Sequence, residues 1–113
     1  MALIRLMYWK EIPVTVQASD QTETISHPLD ARFQEGADAI AMFDGSAGTD
    51  EYLMAWEFKD YGNIDAPPKE AAAAIATRFN DGFPTDFVAR IRDMERGGER
   101  NPTPGAIDDW LEG

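Results

Sequence analysis

Residues 2–9 (ALIRLMYW) hold a single charge, Arg5, among strand-forming side chains. Alternation places Leu3, Arg5, Met7 and Trp9 on one face and Ile4, Leu6 and Tyr8 on the other. A strand apolar on one face and mixed on the other fits a sheet with helices over it. Lys10-Glu11-Ile12-Pro13 ends the run, because proline has no N–H to give to a ladder. Residues 14–18 resume the β pattern with Val14 and Val16 on one face, and 19–24 are polar and turn-like. The second strand is expected to continue through Thr24 and Ile25, giving an antiparallel hairpin over about 2–25.

The period then changes. His27-Pro28 marks a boundary, and a helix is predicted over 29–43, with Leu29, Phe33, Ala37, Ile40 and Ala41 as its buried stripe. Gly36 inside it costs about 1 kcal/mol of helix propensity, and its missing side chain suggests close packing on the sheet. Asp44-Gly45 stops the helix. Residues 52–58 alternate again, with Tyr52, Met54, Trp56 and Phe58 together, and read as a third strand; Thr49-Asp50-Glu51 also suits the start of a short helical turn. Helices follow over 69–80 (stripe Ala71, Ala72, Ile75, Phe79) and 86–96 (Phe87, Ile91, Met94). The expected fold is therefore α+β. A three-stranded antiparallel sheet in β-β-α-β-α-α order is covered on one face by helices, with residues 1–96 as one domain. Residues 97–113 read as a Gly/Pro linker and a short amphipathic tail, in which Trp110 must dock on the domain or on another chain.

Composition narrows the chemistry. The chain has no cysteine and one histidine, His27, so thiol chemistry, cysteine zinc sites and multi-histidine metal sites within the chain are excluded; no metal or cofactor is expected. The net charge of −11 argues against nucleic acid, and with Lys10, Lys59 and Lys69 the only lysines there is no polybasic membrane patch. The opening residues lack the long apolar run and cleavage site of a secretory signal, which points to the cytoplasm. Adjacent carboxylates such as Asp50 with Glu51, or Asp108 with Asp109, do not amount to an acid–base pair, which needs two different environments across a cleft. No phosphate-cradling glycine loop and no Gly-x-Ser-x-Gly elbow occur.

Three stretches carry a likeness. Tyr8-Trp9-Lys10-Glu11-Ile12-Pro13, then Arg32-Phe33-Gln34-Glu35 with Met42, then Gly48-Thr49-Asp50-Glu51-Tyr52-Leu53 with Trp56, resemble in order and spacing a small bacterial domain family named "virulence factor". The chain departs from it in having Lys10 where arginine is usual and Gly36 within the helix motif. The resemblance spans residues 3–58 and carries over no catalytic residue. Similar domains joined to helical-repeat and iron–sulfur-scaffold-like modules imply an accessory, protein-binding role. The association of stand-alone members with folate-linked one-carbon metabolism implies the alternative, a small-molecule-binding subunit or small enzyme. The family motifs single out Trp9, Lys10, Arg32, Asp50, Tyr52 and Trp56. A flat apolar surface is the mark of the first role. A closed pocket near Trp9, Arg32 and Asp50, with Lys10 converging on it, is the mark of the second. A sheet with one uncovered face also raises the expectation of a homodimer.

Overall fold

The computed structural model describes residues 1–111. The hairpin forms as the alternation requires: β1 (Ala2–Trp9) pairs antiparallel with β2 (Ile12–Ser19), Trp9 opposite Ile12. A bulge between Met7 and Tyr8 inserts one extra residue in β2, and the added twist lets Ile12, Pro13 and Val14 all turn inward. Then come β3 (Thr24–Pro28), α1 (Ala31–Asp44), α2 (Asp50–Met54), β4 (Trp56–Ile64), α3 (Pro68–Gly82) and α4 (Phe87–Arg96). A single 3₁₀ turn follows at Asp108–Trp110. The sheet order is β3-β2-β1-β4, antiparallel throughout.

The fold is α+β as expected, but the sheet has four strands rather than three. Two local causes account for the difference. Asp20 Oδ1 accepts from the Thr22 amide and hydroxyl (both 2.8 Å) and from the Glu23 amide (3.0 Å). That side-chain turn reverses the chain, so Thr24 and Ile25 begin a separate strand instead of prolonging β2. The stretch read as a strand over 52–58 divides in two: Thr49 precedes a helical turn, and the strand starts only at Trp56, opposite Trp9.

Ile4, Leu6, Tyr8, Val16 and Ala18 cover one side of the sheet and are buried. The helical stripes meet them. Phe33, Ala37, Ile40 and Ala41 of α1 and Ala71, Ala72, Ile75 and Phe79 of α3 are all buried, with Phe87 and Ile91 of α4 behind them. Gly36 makes room for α4, not for the sheet: a Cβ there would stand 2.5 Å from Phe87 Cζ and 3.0 Å from Val88 Cγ2. Phe87 has little freedom to withdraw, since it stacks on Phe33 (5.4 Å) and meets Phe83 edge-on (5.8 Å). Gly36→Ala should therefore lower stability, by about 1 kcal/mol, although alanine is the better helix former. Thermal unfolding of the pair checks this; a more stable variant would show that the aromatic cluster gives way.

Residues 97–111 lie along the domain. Ile107 is buried, the Trp110 ring sits under the Arg90 guanidinium (5.5 Å), and Tyr8 donates its hydroxyl to Asp108 Oδ2 at 2.6 Å. Burial lifts the Asp108 carboxyl above its ordinary range, against the pull of that hydrogen bond, and lifts the Tyr8 phenol as well. Among the described residues no helix is long and apolar enough to cross a membrane.

Candidate functional site

The motif residues divide between two ends of α1. At its C-terminal end stands the tip of the first hairpin, whose loop is Lys10-Glu11. Lys10 has φ 51°, a left-handed conformation that costs a residue with a Cβ about 1 kcal/mol. It holds the ammonium inside: Lys10 Nζ donates to Asp44 Oδ2 (2.8 Å) and Glu51 Oε1 (3.4 Å) and lies 5.0 Å from the Trp9 ring centre. Glu11, next in the loop, is 1% exposed. Arg100 meets it in a two-pronged contact, Nε to Oε2 at 2.8 Å and Nη2 to Oε1 at 2.9 Å. Arg100 Nη1 also donates to Asp44 Oδ2 (2.9 Å) and Glu95 Oε1 (3.2 Å).

Asp44 is the node. It closes α1, where the helix dipole disfavours a carboxylate and the last turn holds no base, so Lys10 and Arg100 supply the missing positive charge from elsewhere in the chain. Burial alone would raise its carboxyl, but hydrogen bonds from Lys10, Ser46 and Arg100 outweigh burial and hold it down at about 2. Burial alone would weaken the hold of Arg100 on its proton, but the hydrogen bonds to Glu11 and Asp44 reverse that and strengthen it. Since folding depresses the Asp44 carboxyl below its ordinary 3.8, the gain is complete well above pH 3.8 and is lost as pH falls to about 2. Its size is about 2 kcal/mol. Urea unfolding of the wild type and Asp44→Asn should differ clearly at neutral pH and converge near pH 2; a constant gap would show that the charge on Asp44 contributes nothing.

The aromatic motif residues gather beside this cluster. Trp9 is fully buried, donates Nε1 to the Tyr52 carbonyl (3.0 Å) and packs on the Tyr52 ring (5.5 Å). Trp56 meets Tyr52 edge-on at 6.1 Å, and the Tyr52 hydroxyl donates to Asp38 of α1 at 2.7 Å. Asp50 is exposed in the first turn of α2. Trp9, Lys10, Tyr52 and Trp56 thus come together, with Asp50 at their margin.

Arg32 does not join them. It lies at the other end of α1, about 18 Å from Asp44 at 1.5 Å per residue. There its guanidinium donates to the carbonyls of Asn80 (2.9 Å), Phe83 (3.1 Å) and Pro84 (3.1 Å) while lying over Phe33. It closes the C-terminal end of α3, so the expected pocket near Trp9, Arg32 and Asp50 is not assembled.

Two open grooves flank α2 instead. One, of about 200 Å³, is lined by Asp38, Ala41, Met42, Ala47, Gly48 and Tyr52. The other, of about 420 Å³, is lined by Lys10, Glu51, Met54, Ala55 and Pro102. The first is smaller than a usual small-molecule site, and the polar groups of the second are already paired with each other. Met42 in the first groove is 75% exposed and Met54 in the second 81%, while Leu53 of α2, which lines neither, is 68% exposed. Neither these three nor Glu11, Asp44 and Arg100 stood out as site residues in the sequence. Met42 lay outside the helical stripe, which was the available signal. Arg100 was hidden in a breaker-rich segment.

A family described as "Virulence factor" matches residues 7–91, three quarters of the chain, and the chain belongs to that family. The match reaches past the motifs into α4. No curated protein and no solved structure matches the chain.

Proposed function

We propose that this member of the virulence-factor family is an accessory, protein-binding domain, and that its contact surface is the C-terminal part of α1 together with α2. One observation carries the reading. Met42, Leu53 and Met54, three large apolar side chains on neighbouring elements, stand mostly in solvent, each more exposed than any other large apolar residue save Met1. Clustered exposure of that kind is the physical mark of a contact surface, and methionine adapts to the shape it meets. The surroundings support contact rather than chemistry, since the buried charges saturate one another and the grooves are open.

The uncovered face of the sheet suits a homodimer less well. Arg5 lies across it, paired with Asp60 (3.8 Å) and over Phe58 (4.4 Å), leaving Leu3 40% and Phe58 37% exposed.

Affinity capture from native lysate, comparing the wild type with Leu53→Asp/Met54→Asp, tests the proposal. Both side chains face solvent, so the unfolding free energy should stay within about 0.5 kcal/mol of the wild type. A protein retained by the wild type and lost by the variant supports the reading. Equal retention by both, no specific protein, or a co-eluting small molecule in its place overturns it.

A further inference from the structure

The same surface has a charge pattern that says what kind of partner it fits. From Gln34 to Ala55 the chain has five acids (Glu35, Asp38, Asp44, Asp50, Glu51) and no lysine or arginine. Asp44 is spent inside, on Lys10 and Arg100. The other four lie toward solvent around the apolar residues, and Glu51 keeps 66% of its side chain exposed despite its contact with Lys10. The nearest cations are withdrawn: Lys10 and Arg100 keep only 12% and 5% of their side chains exposed, and Arg32 is occupied at the far end of α1. The hydrogen bond from Tyr52 to Asp38 ties α1 to α2, so the exposed apolar groups and the carboxylates sit on adjoining elements.

Resting on the proposed protein-binding role, we infer that the partner is a basic amphipathic segment, with apolar side chains seated on Met42, Leu53 and Met54 and lysines or arginines facing Glu35, Asp38, Asp50 and Glu51. A second copy of this chain fits poorly, because it would bring the same acidic rim against itself at a net charge of −11. An acidic or neutral apolar partner would leave the rim carboxylates desolvated without a counter-charge.

The probe is a synthetic helical peptide of about 16 residues with leucine on one face and lysine on the other, set against one with glutamate for lysine and one with serine for leucine. Binding is followed by backbone amide shifts of the full chain. The expected result is that the Leu/Lys peptide shifts the amides of 38–55, weakens about tenfold between roughly 50 and 500 mM salt, and weakens again with Asp50→Lys. The other two peptides should bind at least tenfold more weakly. Shifts spread over the whole acidic surface, indifference to salt and to Asp50→Lys, or concentration-dependent self-association through 38–55 would each overturn the inference. The protein-binding role is judged separately: a captured protein that depends on Leu53 and Met54 yet ignores salt and Asp50→Lys keeps that role and removes the basic partner.

Discussion

Arg100→Met should lower the unfolding free energy by about 3–5 kcal/mol, a large share of what a domain of this size has. The arginine itself adds modest net stability, because taking its charge out of water offsets much of the attraction to its partners. Removal is another matter. Glu11 and Asp44, with side chains 1% and 3% exposed, would keep their carboxylates in the interior without the guanidinium that neutralises them. Lys10 can still serve Asp44 at 2.8 Å, whereas both oxygens of Glu11 rely on Arg100. The loss should therefore be concentrated at Glu11, and Glu11→Gln/Arg100→Met should recover part of it. Arg100→Lys should lie between, since one ammonium cannot reproduce the two-pronged contact. Urea unfolding of the four proteins decides the matter. A single-variant loss under about 1 kcal/mol would mean that water reaches these carboxylates as the segment lifts away.

That contact also shows why the candidate site was only partly legible. The stripes Phe33-Ala37-Ile40-Ala41 and Ala71-Ala72-Ile75-Phe79 were readable because helical periodicity is local, and each stripe is buried where the period put it. The α+β class followed from the same local signal. The fourth strand did not, because a turn closed by the Asp20 side chain resembles any polar stretch until its acceptor is seen to take the Thr22 and Glu23 amides. Residues 52–58 place Tyr52, Met54, Trp56 and Phe58 on one face as a strand does, yet 52–54 are not extended. Residues 52–54 are drawn into a helical turn by Tyr52, whose carbonyl and ring both serve Trp9, 43 positions away in the chain. Glu11 and Arg100 are partners 89 positions apart, and no spacing rule reaches that far. Arg32 stands apart from the other motif residues for the complementary reason. A motif fixes the element on which a residue sits, but α1 is long enough to put its two ends to separate uses.

Trp9→Ala should be the other severe substitution, with a loss of about 3–5 kcal/mol, and its consequences reach the proposed contact surface. Trp9 is the largest fully buried side chain of the domain, and α2, which it supports, buries none of its own residues. That helical turn is held through Tyr52: the carbonyl accepts from Trp9 Nε1, the ring packs on the indole, and the hydroxyl donates to Asp38. Truncation removes the first two at once and opens a cavity beneath α2. Leu53 and Met54 would then no longer be presented on a fixed surface, so a lost partner in Trp9→Ala is not evidence that the indole touches it. Hydrogen exchange separates the two effects. Amides of 50–56 should lose protection in Trp9→Ala and keep it in Leu53→Asp/Met54→Asp, while both variants lose the partner. Trp9→Phe should fall between, at about 1–3 kcal/mol, because it keeps an aromatic ring against Tyr52 but deprives the Tyr52 carbonyl of its donor. Unchanged protection of 50–56 in Trp9→Ala would mean that the remaining ties, Tyr52 to Asp38, Lys10 to Glu51 and Trp56 against Tyr52, suffice to hold α2. In that case a binding defect in the same variant would have to come from the indole itself.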